Sequence, residues 1–167
     1  MKRRSAPVRR PTFLLVASSG GHLLELLGLS NEYARDERHW VTFDKPDARA
    51  LLEGEEVSFA YHPTNRNLLN LVRNAMLAGR LLLTLRPRAI ISTGAGVAVP
   101  FCYLGRMLRI PVVFVESFAR VRGPSLTGQL VYPIATEFFV QWPALRTALP
   151  ASRFEGTAFD LSEPRNA

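Results

Sequence analysis

Short apolar runs alternate with amphipathic stretches along nearly all of this chain, and that alternation narrows it to one fold class. Residues 12–17, 39–43, 57–61, 89–92, 111–115 and 137–140 are β-rich runs of four to six residues. Between them, 22–29, 48–52, 67–85, 97–108, 126–134 and 143–148 have the make-up of helices, with Pro46 suited to open the second and Pro87 closing the third. Strands that are continuously apolar are buried on both faces, which requires a parallel sheet with helices on each side. The expected fold is therefore α/β: a Rossmann-like, doubly wound parallel sheet in a single domain over residues 12–159. Residues 1–11 are expected to be a flexible basic tail and 160–167 a frayed one. A chain of 167 residues suffices for one such core and is short for two.

The fold class also says where to look for function. In doubly wound sheets ligands bind beyond the carboxyl ends of the strands, at the point where strand order reverses. The residues that follow the first, fourth and fifth strands are thus the candidates.

Charge is the second constraint. The net +7 is concentrated in the middle of the chain: residues 57–115 hold seven arginines and no acid, whereas the segments on either side each sum to zero. Such asymmetry marks a surface for an anionic partner, such as lipid headgroups or phosphate esters, with a merely solubilising surplus as the plain alternative. Nucleic acid is not expected, because no recognised nucleic-acid module is present. Cys102 is the single cysteine, so neither an internal disulfide nor a thiolate metal cluster can form, and a reducing cytosol is the simplest home. No metal or organic cofactor is expected. The apolar runs are broken by arginines, and Phe13 to Ala17 is too short for the apolar region of a signal peptide, so no membrane span is expected.

Three segments carry candidate chemistry. After the first strand, Ser18-Ser19-Gly20-Gly21-His22 opens a helix. Glycines there allow a backbone to approach a phosphate, and a helix N-terminus offers unpaired N–H groups. This is not the G-x-G-x-x-G dinucleotide fingerprint, and a Gly-Gly turn can also be plain geometry. His22, in the first helical turn, could accept a proton from a sugar hydroxyl, or simply bond its own loop. After the fourth strand, Ser92-Thr93-Gly94-Ala95-Gly96 again opens a helix. Two such loops facing each other suit a diphosphate better than one. After the fifth strand, Glu116-Ser117-Phe118-Ala119-Arg120 presents an acid that could hold a hydroxyl or merely cap a loop.

The long helix 67–85 carries Arg73 and Arg80, seven residues apart, with Arg66 in the same phase just ahead of it. Asn67, Asn70, Asn74 and Thr84 are read as the same polar face, and Leu68, Val72, Met76, Leu82 and Leu83 as the face that covers the sheet. The arginines would then meet anionic headgroups or be simply solvated.

These motifs occur in an order that resembles a known family. Ser18-Ser19-Gly20-Gly21-His22, Asp44-Lys45-Pro46, Ile91 to Gly96, Val115-Glu116-Ser117 and Gln141-Trp142-Pro143 look like the membrane-recruiting subunit of the two-subunit N-acetylglucosaminyltransferase of dolichol-linked oligosaccharide synthesis. They look closer still to its bacterial capsule and exopolysaccharide counterparts of the PssD and CpsF type. That family is similar to the N-terminal half of MurG-like GT-B glycosyltransferases. The resemblance implies a site in which Ser19, Gly20, Gly21, Thr93, Gly94, Gly96 and Arg120 hold an acceptor diphosphate. His22 or Glu116 would serve as base in an inverting transfer, with Arg66, Arg73 and Arg80 at the membrane surface. It implies a polyprenyl-diphosphate-linked sugar as acceptor, an anionic membrane surface, and a second glycosyltransferase subunit that brings the nucleotide-sugar site. The chain alone would be inactive. It would be cytoplasmic and held peripherally on the inner face of the plasma membrane, since Met1 to Pro11 is basic where the eukaryotic subunit has an anchor. The competing expectation is a non-catalytic membrane adaptor that activates a complete partner enzyme.

Overall fold

The computed structural model describes residues 13–29, 38–64 and 66–159; the two expected tails lie outside them. Six strands form one sheet: β1 (Phe13–Val16), β2 (Arg38–Phe43), β3 (Val57–Ala60), β4 (Ala89–Ser92), β5 (Val112–Val115) and β6 (Glu137–Phe139). Every pairing is parallel, in the order β3-β2-β1-β4-β5-β6. The direction of winding reverses between β1 and β4, so the expected doubly wound sheet is present and its switch point is fixed.

The pleat sorts the core into two halves. Leu14 and Val16 of β1 point into one cluster with Ile90, Val112, Phe114 and Phe138. Helices α3 (Leu68–Leu85), α4 (Ala98–Met107) and α5 (Leu126–Val131) cover that face, supplying Ala78, Leu82, Phe101 and Val131. Leu15 and Ala17 point the other way, into a cluster with Trp40 and with residues of α1 (Gly21–Gly28) and α2 (Pro46–Leu51). Pro143–Thr147 is a 3-10 helix, and α5 ends at Val131, three residues earlier than its sequence pattern indicates.

Helix α3 departs from expectation in a way that bears on function. Its buried residues are Asn70, Asn74, Ala78 and Leu82, one i, i+4 stripe. Of the residues expected to cover the sheet, Leu82 does so, while the others face outward: Leu68 is 73% exposed, Met76 64% and Leu83 61%. The asparagines account for the inversion. Asn74 accepts from the Tyr61 amide at 2.8 Å and donates to the Tyr61 carbonyl at 2.9 Å, completing the backbone bonds of the residue that leaves β3. Asn70 Nδ2 donates to the Pro63 carbonyl at 3.0 Å, and Asn67 Oδ1 caps the helix by accepting from the Asn70 amide at 2.9 Å. Satisfying those otherwise orphaned backbone groups outweighs burying a leucine stripe there. Arg66 precedes the helix, in a left-handed conformation (φ 51°), so only Arg73 and Arg80 belong to its surface.

His39 in β2 gives the fold a pH response. It is 9% exposed, with Nε2 2.8 Å from Ser58 Oγ, and burial lowers its pKa, an effect that Glu56 beside the ring partly offsets. The unfolded chain therefore binds the proton more readily than the fold between the lowered value and about 6.5, so stability drops as pH falls through that window. Urea titrations at pH 7 and pH 5.5 should show this loss, and it should shrink in His39→Gln.

Candidate functional site

The switch point brings together the loops that follow β1 and β4. Strand β1 ends at Val16 opposite Ser92 of β4, so residues 17–20 and 93–96 leave the sheet side by side. Each is followed by a helix, α1 or α4, whose N-terminus is at the same carboxyl edge. Gly20 (φ 79°, ψ −139°) and Gly94 (φ 114°) adopt backbone conformations that other residues rarely reach, which explains glycine at both turns.

The two loops are locked to each other. Thr93 Oγ1 donates to the His22 carbonyl at 2.6 Å, tying the first turn of α1 to the β4 loop. The imidazole lies against Gly94: a Cβ at that position would come within 3.3 Å of His22 Cε1. His22 Nδ1 is buried and has no hydrogen-bond partner among the described residues, so the alternative in which the ring bonds its own loop is not what the structure shows for that nitrogen. On the far side of the same turn, a Cβ at Gly96 would meet Thr64 Oγ1 at 3.1 Å. The β4 turn is thus wedged between His22 and the loop that leads into α3.

Not every loop amide is available. The Gly20 N–H donates to Asp47 Oδ2 at 2.9 Å, and the Gly94 N–H to Ser92 Oγ at 3.0 Å. The Leu24 N–H is already bonded to the Gly20 carbonyl. What remains at the edge is the first turn of α1 at Gly21, His22 and Leu23, together with Ala95 and Gly96, whose amides have no partner among the described residues. An anion would be held by these amides and not by those of Gly20 and Gly94. Ser19 lies in the β1 turn, half-buried.

Glu116 is placed differently from a solvent-facing base. It is 1% exposed. Its Oε2 accepts from Ser125 N at 3.0 Å and from Ser125 Oγ at 3.1 Å, and its Oε1 from Ser117 N at 3.0 Å. The carboxylate is packed against α5, where a Cβ at Gly128 would fall 2.0 Å from Oε2. These contacts match the loop-capping alternative. Arg120 is exposed in the loop that Glu116 closes, and its side chain has no partner among the described residues.

Three side chains at this edge were not singled out from sequence. Glu25, one turn beyond His22 on α1, is 5% exposed and bonds Ser117, Phe118 and Gln141. The i, i+3 spacing from His22 was the available signal. Gln141 and Asp47 belong to or adjoin motifs that sequence could list without giving a role. Among the described residues no three His, Cys, Asp or Glu side chains cluster as metal ligands.

The model of the family described as "Oligosaccharide biosynthesis protein Alg14 like" matches residues 55–158, more than half of the chain. The chain belongs to the Alg14 family. It is 31% identical over 181 residues to the mouse UDP-N-acetylglucosamine transferase subunit ALG14, covering 86% of this chain and 81% of that protein. The human subunit of the same name is 29% identical, with 87% and 82% covered. Among solved structures, MurG of Acinetobacter baumannii superposes with a TM-score of 0.70 at 18% identity. That match covers 88% of this chain and 46% of MurG, so the Alg14-family chain spans just under half the length of that enzyme. At this identity the likeness concerns the fold, and it bears out the expected Rossmann-like sheet.

Proposed function

We propose that the chain is the acceptor-binding half of a two-subunit glycosyltransferase acting on a polyprenyl-diphosphate-linked sugar in polysaccharide or oligosaccharide assembly. One observation carries this reading: the imidazole of His22 packs on the Gly94 turn between two helix N-termini at the switch point. Amides and partial positive charge gather there beside an imidazole. The relatives, described as UDP-N-acetylglucosamine transferase subunits, supply the reaction class.

In this reading the free amides of Gly21, His22, Ala95 and Gly96 hold the acceptor diphosphate, with Thr93 fixing the distance between the loops. His22 takes the proton of the attacking hydroxyl as its oxygen bonds to the anomeric carbon, and the nucleoside diphosphate leaves from the opposite face, inverting that centre. Ser19, Gly20 and Gly94 shape the turns. Glu116 orders the loop bearing Arg120, whose guanidinium faces the diphosphate. The nucleotide-sugar site belongs to a second polypeptide, a reading supported by relatives described as subunits of their transferases.

Attachment is peripheral, on the cytoplasmic leaflet. Helix α3 is, among the described residues, the one helix long and apolar enough to span a bilayer. Its Asn70–Leu82 stripe is engaged with the protein fold, so it lies on the membrane, not across it. Leu68, Leu69, Val72 and Met76 enter the interface, and Arg66, Arg73 and Arg80 meet anionic headgroups.

The test is reconstitution with the product of the neighbouring reading frame, using UDP-N-acetylglucosamine and undecaprenyl-diphosphate monosaccharides. Transfer is expected from the pair and not from either protein alone. Robust transfer by this chain by itself would refute the division of labour.

A further inference from the structure

The proton chemistry above makes no use of Glu25, yet its surroundings are built around it. Oε1 accepts from the Ser117 hydroxyl at 2.9 Å and from the Phe118 amide at 3.2 Å, and Oε2 accepts from Gln141 Nε2 at 3.3 Å. All three partners are donors. Gln141 is not free to turn its oxygen toward Glu25, because Oε1 accepts from the Ala158 amide at 2.7 Å and Nε2 also donates to the Glu116 carbonyl at 3.0 Å. The position thus calls for two acceptor oxygens, which a carboxylate has and a carboxamide lacks.

What these bonds hold is the loop from Ser117 to Ser125. Glu25 grips its start, Trp142 Nε1 donates to the Phe118 carbonyl at 2.6 Å, and Glu116 grips its end through Ser125. The middle of the loop carries Arg120 and Arg122, both exposed. Burial raises the pKa of Glu25, an effect its donors and His22 only partly offset. Because the folded value lies above that of the free side chain, the stability linked to this group is greatest in acid and is lost as pH rises through the folded value.

Resting on the glycosyltransferase reading, we infer that Glu25 is a positioning residue that fixes the Arg120–Arg122 loop against the helix bearing His22, so that cations and imidazole meet one acceptor at a set spacing.

Limited trypsinolysis of the full chain, with fragments identified by mass spectrometry, tests the mechanical half. Glu25→Gln and Ser117→Ala should each be cut after Arg120 and Arg122 at least tenfold faster than wild type, with melting temperatures within a few degrees of it. Unchanged cleavage in both variants overturns the inference, and Ser117→Ala decides alone if Glu25→Gln does not fold. In the reconstituted pair, with UDP-N-acetylglucosamine and undecaprenyl-diphosphate monosaccharides, Glu25→Gln should raise the acceptor KM about tenfold and leave kcat within threefold. A faster-cut loop with acceptor KM unchanged overturns the spacing claim. If the wild-type pair transfers no sugar, that claim falls with the glycosyltransferase reading, and cleavage still shows whether Glu25 holds the loop.

Discussion

Substitution of His22 by alanine is expected to reduce sugar transfer by the reconstituted pair by about 10²- to 10⁴-fold, the range associated with losing a positioned general base. The loss should appear in kcat. The acceptor should still bind, because the backbone amides of α1 and of the β4 turn do not depend on the ring, and Thr93 anchors the His22 carbonyl and not its side chain. Removing the ring opens space beside Gly94, so a modest fall in melting temperature is expected, with capture of the partner subunit intact. The same variant separates the catalytic reading from the adaptor reading. An adaptor needs only its partner-binding and membrane surfaces, and its His22→Ala form would leave transfer at the wild-type rate.

The second large effect is expected at α3. Leu69, Val72 and Met76 are 60%, 49% and 64% exposed, so replacing all three with aspartate should leave folding nearly untouched. If they enter the bilayer interface, each contributes about 1.5–3 kcal/mol of apolar burial, and the new carboxylates are also repelled by anionic lipid. Binding to phosphatidylglycerol-rich vesicles, measured by flotation, should fall by more than about 100-fold. Arg80→Gln should have a much smaller effect, near the 1 kcal/mol expected of one surface cation. Arg73 is less informative because its guanidinium also rests over the Tyr61 ring, 5.5 Å from the centroid. Equal binding by the triple variant and wild type would show that α3 is not the contact.

The elements of this fold are legible in the sequence because each strand is a bounded apolar run and the helices between them are marked by proline or glycine. The switch point follows from the class of fold, and with it the prediction that the turns at Gly20 and Gly94 meet. The orientation of α3 was not legible. Periodicity ranks asparagine as solvent-facing, and nothing in the spacing shows that Asn74 will pair with both backbone groups of Tyr61. A polar residue that replaces a missing sheet partner reads the same as one in water. Glu116 shows a similar limit: sequence puts an acid at the strand end, while its direction depends on Ser125 and on the missing side chain at Gly128. Glu25 lay hidden among leucines, and its donors come from segments about a hundred residues away along the chain.

The uneven distribution of exposed apolar side chains along α3 has a geometric outcome. Leu68, Leu69, Leu71, Val72 and Met76 fall in its first half, and Leu83 stands apart in the second. On the proposed membrane contact, a helix so weighted would sink at its leading end, and that end adjoins Thr64, which presses on the Gly96 turn. The domain would therefore rest tilted, its Gly20 and Gly94 turns dipped toward the depth where a lipid-borne pyrophosphate emerges from the hydrocarbon.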